Sequence, residues 1–365
     1  MKVVCTQENL RSGLSVVGRI IQTSSTLPIL NNILLKTENG MLKLSATNLD
    51  IGITTLVRGK VETEGEVCVP AKPLIDVVAT LPSVPITLSV EGSEILLTAK
   101  SYKTKLKTLA PTEFPVIPEV EDGWRLKIGS RELKTALDEV VFAASVSETQ
   151  PEISGMFFLA KDKNLKFVCT DRYRLAEKTL NWVGGEVLEG VIVPHRTVIE
   201  LSRVIGMNDV EVEVLVTQNQ FSVQMDGTVI VSRLIDGQYP DYEQIIPTVF
   251  ETNVSMNRSE LVSALKTSGV FSGGVQSVRI EVKTEDRLVS VSSGSQDLGE
   301  SEVEIEAEIT GVSVGITFNF KYLTDCLNVL GAKDVIFKII GEESPVIIEP
   351  VGEVGYRYLV MPIKG

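Results

Sequence analysis

The sequence predicts an α+β chain built from three tandem copies of one domain, each with two helices covering one face of an antiparallel sheet. Three observations predict it. The strand-like strings LKLSATN at 42–48, LKFVCTD at 165–171 and LVSVSSG at 288–294 stand 123 residues apart. Helix-like runs return at a similar spacing: Leu10, Leu133 and Leu261 each follow a polar opening, and Val69, Val193 and Phe318 each precede a second amphipathic run. Leu109, Leu234 and Leu359, each 125 residues apart, close the three copies. The 365 residues therefore divide at 1–122, 123–248 and 249–365, each of ordinary domain size.

In the first copy VVCT reads as a strand, and Leu10, Leu14, Val17 and Ile21 recur at helical spacing, predicting a helix over 7–22 that Leu27-Pro28 ends. ILNNILLKT, MLKLSATN and IGITTLVRGKV read as strands, with Asn39-Gly40 as a tight hairpin turn between the first two. A short helix is expected over 72–81, stopped by Pro82, before the strands ITLSVEG, EILLTAK and the basic YKTKLKTL. The same order starts again at Trp124 and at Asn253. The joins at 113–123 and 238–249 both set an aromatic-Pro pair ahead of a second proline, which makes them stiff joints. In the third copy Glu300 to Glu308 alternate with Val303, Ile305 and Ala307, the period-two pattern of a strand wet on one side.

Composition narrows the class. No apolar run approaches the roughly 18 residues of a membrane span, and MKVVCTQENLRSGL turns polar too early for a secretory signal. The four cysteines lie far apart without metal-type spacing, so Cys5, Cys68 and Cys169 are expected in the core of a chain kept in a reducing cytoplasm. A net charge of −13 argues against nucleic acid if only the total is read. The expected helices hold ten cations against eight anions, near +2, which leaves the rest near −15. That distribution fits either ordinary solvated helix faces or a relatively positive surface inside an acidic shell. Six helices packed roughly 8 to 10 Å apart close a circle too small to leave a bore for a duplex, whereas twelve leave about 24 Å, so a ring of this chain around DNA needs two copies.

Catalytic motifs are missing. Gly13 to Gly18 form G-x-x-x-x-G, but Arg19-Ile20 follow where a phosphate loop needs Lys and Ser or Thr, and the stretch lies inside a helix. His195 is the sole histidine, so no multi-histidine metal site forms, and no G-x-S-x-G elbow accompanies it. At a helix start beside Arg196, it is expected to meet solvent or phosphate. No catalytic residue, cofactor or metal is expected.

The triple unit, with TLPILNN at 26–32, VPAK at 69–72, SGMFF at 154–158, TDRYRLA at 170–176, LIDGQYPDYEQIIP at 234–247 and the terminal YLVMPIKG, resembles the bacterial sliding clamp family, the beta subunit of DNA polymerase III. The resemblance covers the whole chain. It implies a head-to-tail homodimeric ring of six domains, helices inside and sheets outside, that encircles double-stranded DNA without reading sequence and tethers the replicative polymerase. It also implies docking of the clamp loader and other partners through short peptides. Carried onto this sequence, the peptide site comprises Ile153, Thr170, Arg172, Tyr173, Arg174, Leu175, Pro240, Ile245, Val346, Val360, Met361, Pro362 and Ile363, with Arg172 where relatives often have a small residue. The DNA-contacting positions are Lys72, Arg196 and Arg203; Ser24 and Gln244 stand where relatives can carry a basic residue. The subunit contact falls at Leu106, Val270 and Phe271. Two other classes compete with the clamp: a nucleic-acid hydrolase whose carboxylates, such as Asp171 and Glu300 to Glu308, converge on a metal, and a scaffold that binds only proteins.

Overall fold

The computed structural model describes residues 1–21, 27–147, 149–205 and 209–364, and of Val275 the backbone. Ser24 lies outside the described residues. Six α-helices stand among those described: α1 (Gln7–Val17), α2 (Ala71–Thr80), α3 (Ser130–Val141), α4 (His195–Val204), α5 (Arg258–Gly269) and α6 (Phe320–Val329). Their starts keep the repeat read from the sequence, with α1, α3 and α5 opening each copy. Local chemistry fixes several ends. The Thr6 hydroxyl caps α1 by accepting from the Asn9 amide, Asn257 accepts from the amides of Ser259 and Glu260, and Asn319 accepts from that of Lys321.

Helix α1 is shorter than expected. It stops at Val17 and continues as a 3-10 turn, Gly18–Ile20, because glycine and two β-branched isoleucines are poor helix formers. The glycines of the rejected phosphate-loop string have a packing role. A Cβ on Gly13 would come within 2.5 Å of Val57, and one on Gly18 within 2.7 Å of Ile75 of α2.

The chain packs as two compact units, one of Met1–Leu133 with Glu200–Leu234, the other of Lys134–Ile199 with Ile235–Gly365. The first unit holds a five-stranded sheet in the order Gly59–Thr63, Lys2–Thr6, Pro85–Glu91, Glu94–Ala99, Tyr102–Lys107. It also holds an eight-stranded sheet, Trp124–Gly129, Glu211–Val216, Gln220–Met225, Thr228–Arg233, Ile51–Val57, Met41–Thr47, Asn32–Glu38, Glu66–Pro70. All described pairings are antiparallel. Asn39 and Gly40, at φ 51° and 75°, make the expected hairpin turn. Two expected strands are corrected. ILNNILLKT opens with a 3-10 turn, Pro28–Asn31, before its strand, and the run at 51–61 divides at Arg58. Its two halves belong to different sheets, because Ile51–Val57 pairs with Thr228–Arg233 while Gly59–Thr63 pairs with Lys2–Thr6.

The second unit holds one sheet of twelve strands, running from Leu188–Pro194 through Gly155–Lys161, Asn164–Thr170, Arg174–Asn181, Tyr356–Val360, Val346–Pro350, Asp334–Ile339, Thr252–Asn257, Gly299–Thr310, Leu288–Ser295 and Ser277–Lys283 to Val314–Asn319. Strand Gly299–Thr310 does unbroken what the first copy does in two pieces: its start pairs with Leu288–Ser295, its end with Thr252–Asn257. Glu300, Glu302, Glu304, Glu306 and Glu308 are all exposed and Ile305 is buried, as the alternation predicts. Each unit therefore contains one junction where the last strand of one copy joins the sheet of the copy before it. Thr228–Arg233 pairs with Ile51–Val57 in the first unit, and Tyr356–Val360 with Arg174–Asn181 in the second.

That pairing corrects a landmark of the repeat. Leu109 bridges Cys68 and Ile235 bridges Ile192, so Ile235, not Leu234, matches Leu109. Leu359 sits inside its strand opposite Leu175, as Val231 sits opposite Gly52. Hairpin turns differ in length between copies, and the spacing drifts across them.

The cores are mostly apolar. Leu10, Leu14, Val17, Leu42, Leu44 and Ile53 are fully or almost fully buried in the first unit, as are Leu261, Leu265, Val291, Phe318 and Leu323 in the second. All four cysteines are buried free thiols, as expected for three of them. Among the described residues no helix is long and apolar enough to cross a membrane, and no three His, Cys, Asp or Glu side chains lie together as ion ligands.

Candidate peptide-binding and nucleic-acid surfaces

The second unit gathers most of the expected peptide-site residues around the hairpin at 170–174. The Thr170 hydroxyl donates to the Arg174 carbonyl at 2.7 Å and accepts from the Arg172 amide. Asp171 accepts from the amides of Tyr173 and Arg174. This Asx turn holds Arg172 at φ 78°, left-handed, where a small residue or glycine is at ease. The first copy makes the same turn with Thr47, Asn48 and Leu49, the last at φ 79°. Arg172 and Tyr173 are exposed, Tyr173 at 63%.

The chain end closes against this hairpin. The Met361 amide donates to the Tyr173 carbonyl at 2.8 Å, Val360 stands between Arg174 and Val346, and the Ile363 amide donates to the Thr317 carbonyl. Beneath lies an apolar cluster with Ile153, Val168, Leu175, Ile192, Tyr239, Tyr242, Ile347 and Leu359, against which Met361 packs. Leu175, Val346 and Val360 are wholly buried, so they back the surface and do not reach a ligand. Pro240 and Ile245 are exposed on the join beside it, and Pro362 and Ile363 are half-exposed. Gln244 is exposed and donates to Asp241.

Arg174 is held from every side. Its guanidinium donates to Asp171 at 3.0 Å, to Asp325 of α6 at 2.7 Å and to the Phe142 carbonyl at 2.8 Å, and it lies over the Tyr322 ring. Only 11% of the side chain is exposed. Burial works against its charge, yet Tyr358, Asp325 and Asp171 outweigh burial and push its pKa further up. All three guanidinium nitrogens donate within the unit, so Arg174 positions the hairpin.

Sequence reasoning missed the aromatic floor of this surface. Tyr239 stacks on Phe157 at 4.7 Å and 9°, and meets Tyr242 edge-on. The Tyr242 hydroxyl donates to Glu177 at 2.7 Å; burial first, then Glu177, drives its pKa far up. Lys166 bridges Glu177 and Glu243. The aromatic-Pro pair of the join was the available signal, since the same Tyr239 that precedes Pro240 supplies the ring.

The proposed DNA contacts Lys72, on α2, and Arg196 and Arg203, on α4, are exposed. Arg203 pairs with Glu200 one turn back at 3.1 Å, so its charge is partly countered. The helix charge count also shifts. Arg258 turns to the carbonyls of Leu327 and Ala332 at the end of α6, while Glu139 and Glu200 are buried. Arg19 lies on the 3-10 turn beyond α1, so eight helix cations remain against six anions and the excess stays at two.

His195 opens α4. It is half-buried, and burial lowers its pKa below the ordinary imidazole value. For a depressed base the stabilisation is complete above the ordinary pKa of about 6.5 and is lost as pH falls through the lower folded-state value. NMR titration of this single imidazole is expected to give a midpoint below about 6.5, and His195→Gln to flatten the stability loss between roughly pH 7 and 5. A midpoint at or above the ordinary value would return His195 to solvent.

Leu106 is half-buried on Tyr102–Lys107, the outer strand of the five-stranded sheet; Val270 is 66% exposed at the end of α5, with Phe271 half-exposed beside it.

Three sequence profiles of one family cover the chain in order: DNA polymerase III beta subunit N-terminal domain at 1–118, central domain at 127–241 and C-terminal domain at 243–364. The chain belongs to the DNA polymerase III beta subunit family. A beta sliding clamp of Synechococcus elongatus is 33% identical over 372 residues, spanning 100% of this chain and 99% of the relative. The beta subunit of Thermotoga maritima has a TM-score of 0.93 at 27% identity, covering 100% of this chain and 99% of the other. A sliding clamp of Pseudomonas aeruginosa, bound to griselimycin, has a TM-score of 0.95 at 28% identity over the full length of both chains. Within this family the triple repeat, the shared sheets and the non-catalytic character fit together, and the role is that of a sliding clamp.

Proposed function

We propose that two copies of this chain close head to tail into a six-domain ring around duplex DNA in the cytoplasm, that the helix cations face the phosphates, and that partner peptides dock at the 170–174 hairpin and chain end. Domain boundaries at 1–122, 123–248 and 249–365 belong to the same reading. One observation carries the ring. Each internal junction seats the last strand of one copy on the strand that corresponds to Ile51–Val57 in the copy before it. Two strand edges of this kind are unused in the described chain. Tyr102–Lys107 ends its sheet, and residues 299–306 pair only with Leu288–Ser295. The first edge exposes Lys103, Lys105 and Lys107, the second Glu300, Glu302, Glu304 and Glu306. Complementary edges of this kind suit a third junction made between copies, and a heterologous contact closes a ring when its rotation closes. Leu106, Val270 and Phe271 would supply the apolar part.

Such a ring holds DNA by topology, with cations that meet phosphates and read no bases. The deciding experiment loads the chain onto DNA with a clamp loader and measures retention: it is expected to persist on closed circles and vanish on linearisation. Equal loss from both would overturn the ring. Arg196→Glu with Arg203→Glu is expected to weaken DNA association alike for all sequences, Arg196→Glu alone doing most of it because Arg203 is already paired. Dependence of the loss on sequence would mean base reading.

A further inference from the structure

The two junctions follow one pattern and are filled differently. In the second, Lys178 stands opposite Tyr356; in the first, the matching pair is Thr55 opposite Thr228. The helices carry the third difference, since the repeat sets Val16 of α1 where α3 has Glu139. Lys178 Nζ lies 2.7 Å from Glu139, and the Tyr356 ring is buried with its hydroxyl 3.5 Å from the Cys326 thiol. The first junction has smaller side chains at the equivalent points, and an open cavity of about 340 Å³ lies there within the first unit.

Its chemistry is specific. Val16, Val57, Val204 and Met225 make apolar walls, Thr55 and Thr228 share a buried hydroxyl hydrogen bond of 2.8 Å, and Asn9, Arg58 and Asp226 stand among the lining residues. The cavity is half open to solvent and lined by more polar than apolar surface, and its volume exceeds the roughly 150 Å³ of an engineered apolar cavity that admits benzene. A hydroxyl on an aromatic ring has the threonine pair to join, which an all-apolar ligand would leave unused. We propose that this cavity is a binding site for a small phenol, an aromatic ring bearing one hydroxyl, occupying the position that Tyr356 fills from within at the second junction.

The test titrates p-cresol, with toluene as the ligand that lacks the hydroxyl, into the full-length chain with labelled methyl groups. Expected are saturable millimolar shifts confined to Val16, Val57, Val204 and Met225, with toluene about fivefold weaker. Thr228→Tyr, which fills the cavity as the second junction is filled, is expected to abolish the shifts and raise the thermal midpoint. Val16→Phe fills it from the opposite wall and serves if the tyrosine variant does not fold. Shifts that do not saturate, that scatter over the surface, that survive both filling variants, or that are matched by toluene would overturn the assignment.

Discussion

Deleting residues 361–365 is expected to lower affinity for a clamp-binding peptide by about 100-fold or more, equivalent to roughly 2.7 kcal/mol, with the dimer retained. The loss has three physical sources. Met361 packs against the apolar cluster that contains Ile153, Leu175, Tyr239 and Tyr242, so its removal opens that cluster to water. Its amide also ties the exposed Tyr173 carbonyl to the chain end, and the Ile363 amide ties the end to Thr317. A peptide would then meet a hairpin with one wall gone. The edges proposed for the ring lie elsewhere, at Tyr102–Lys107 and residues 299–306, so sedimentation should return the same assembly mass. Fluorescence anisotropy with a labelled partner peptide measures the first half; unchanged affinity would refute the placement of the peptide site.

How far the sequence disclosed this molecule follows from how local each feature is. The repeat, the six helix starts, the Asn39-Gly40 turn and the one-sided strand at Glu300 to Glu308 each rest on periodicity or turn chemistry within a few residues, and all are present. Sheet membership rests on partners as far as 173 residues away, as when Thr228 meets Thr55, and no local pattern predicts that Arg58 divides one run between two sheets. The candidate site divides the same way. TDRYRLA was legible as a motif, but that Arg174 is held by Asp325 from α6, 151 residues on, and is therefore a strut, was not. The aromatic floor escaped because Tyr239 and Tyr242 sit in a proline-rich join, a context that reads as linker. Charge misled in one respect: Glu139 on α3 reads as a solvated helix residue and is 3% exposed.

That burial makes the second junction sensitive to pH once its ion pair is broken. Lys178→Met is expected to destabilise the chain by about 3 kcal/mol at pH 8, because removing one partner leaves a buried carboxylate without its counter-charge. Burial already pushes the Glu139 pKa above the usual carboxylate range, although Lys178 opposes it. Without the lysine the folded state holds a proton on Glu139 that the unfolded chain releases above about pH 4.3. A carboxyl raised in the folded state stabilises it fully at low pH and loses that stabilisation as pH rises through the folded-state value. The variant should therefore recover part of its deficit at pH 5, relative to wild type at the same pH. Lys178→Met with Glu139→Leu should unfold close to wild type at both pH values, since an apolar pair of similar volume has no charge to desolvate. Urea midpoints at the two pH values for the three variants complete the cycle when Glu139→Leu is included. A deficit independent of pH, or a double variant as weak as Lys178→Met, would mean that the lysine acts through its packing and that the first junction, with threonines and a valine at these points, differs from the second in volume alone.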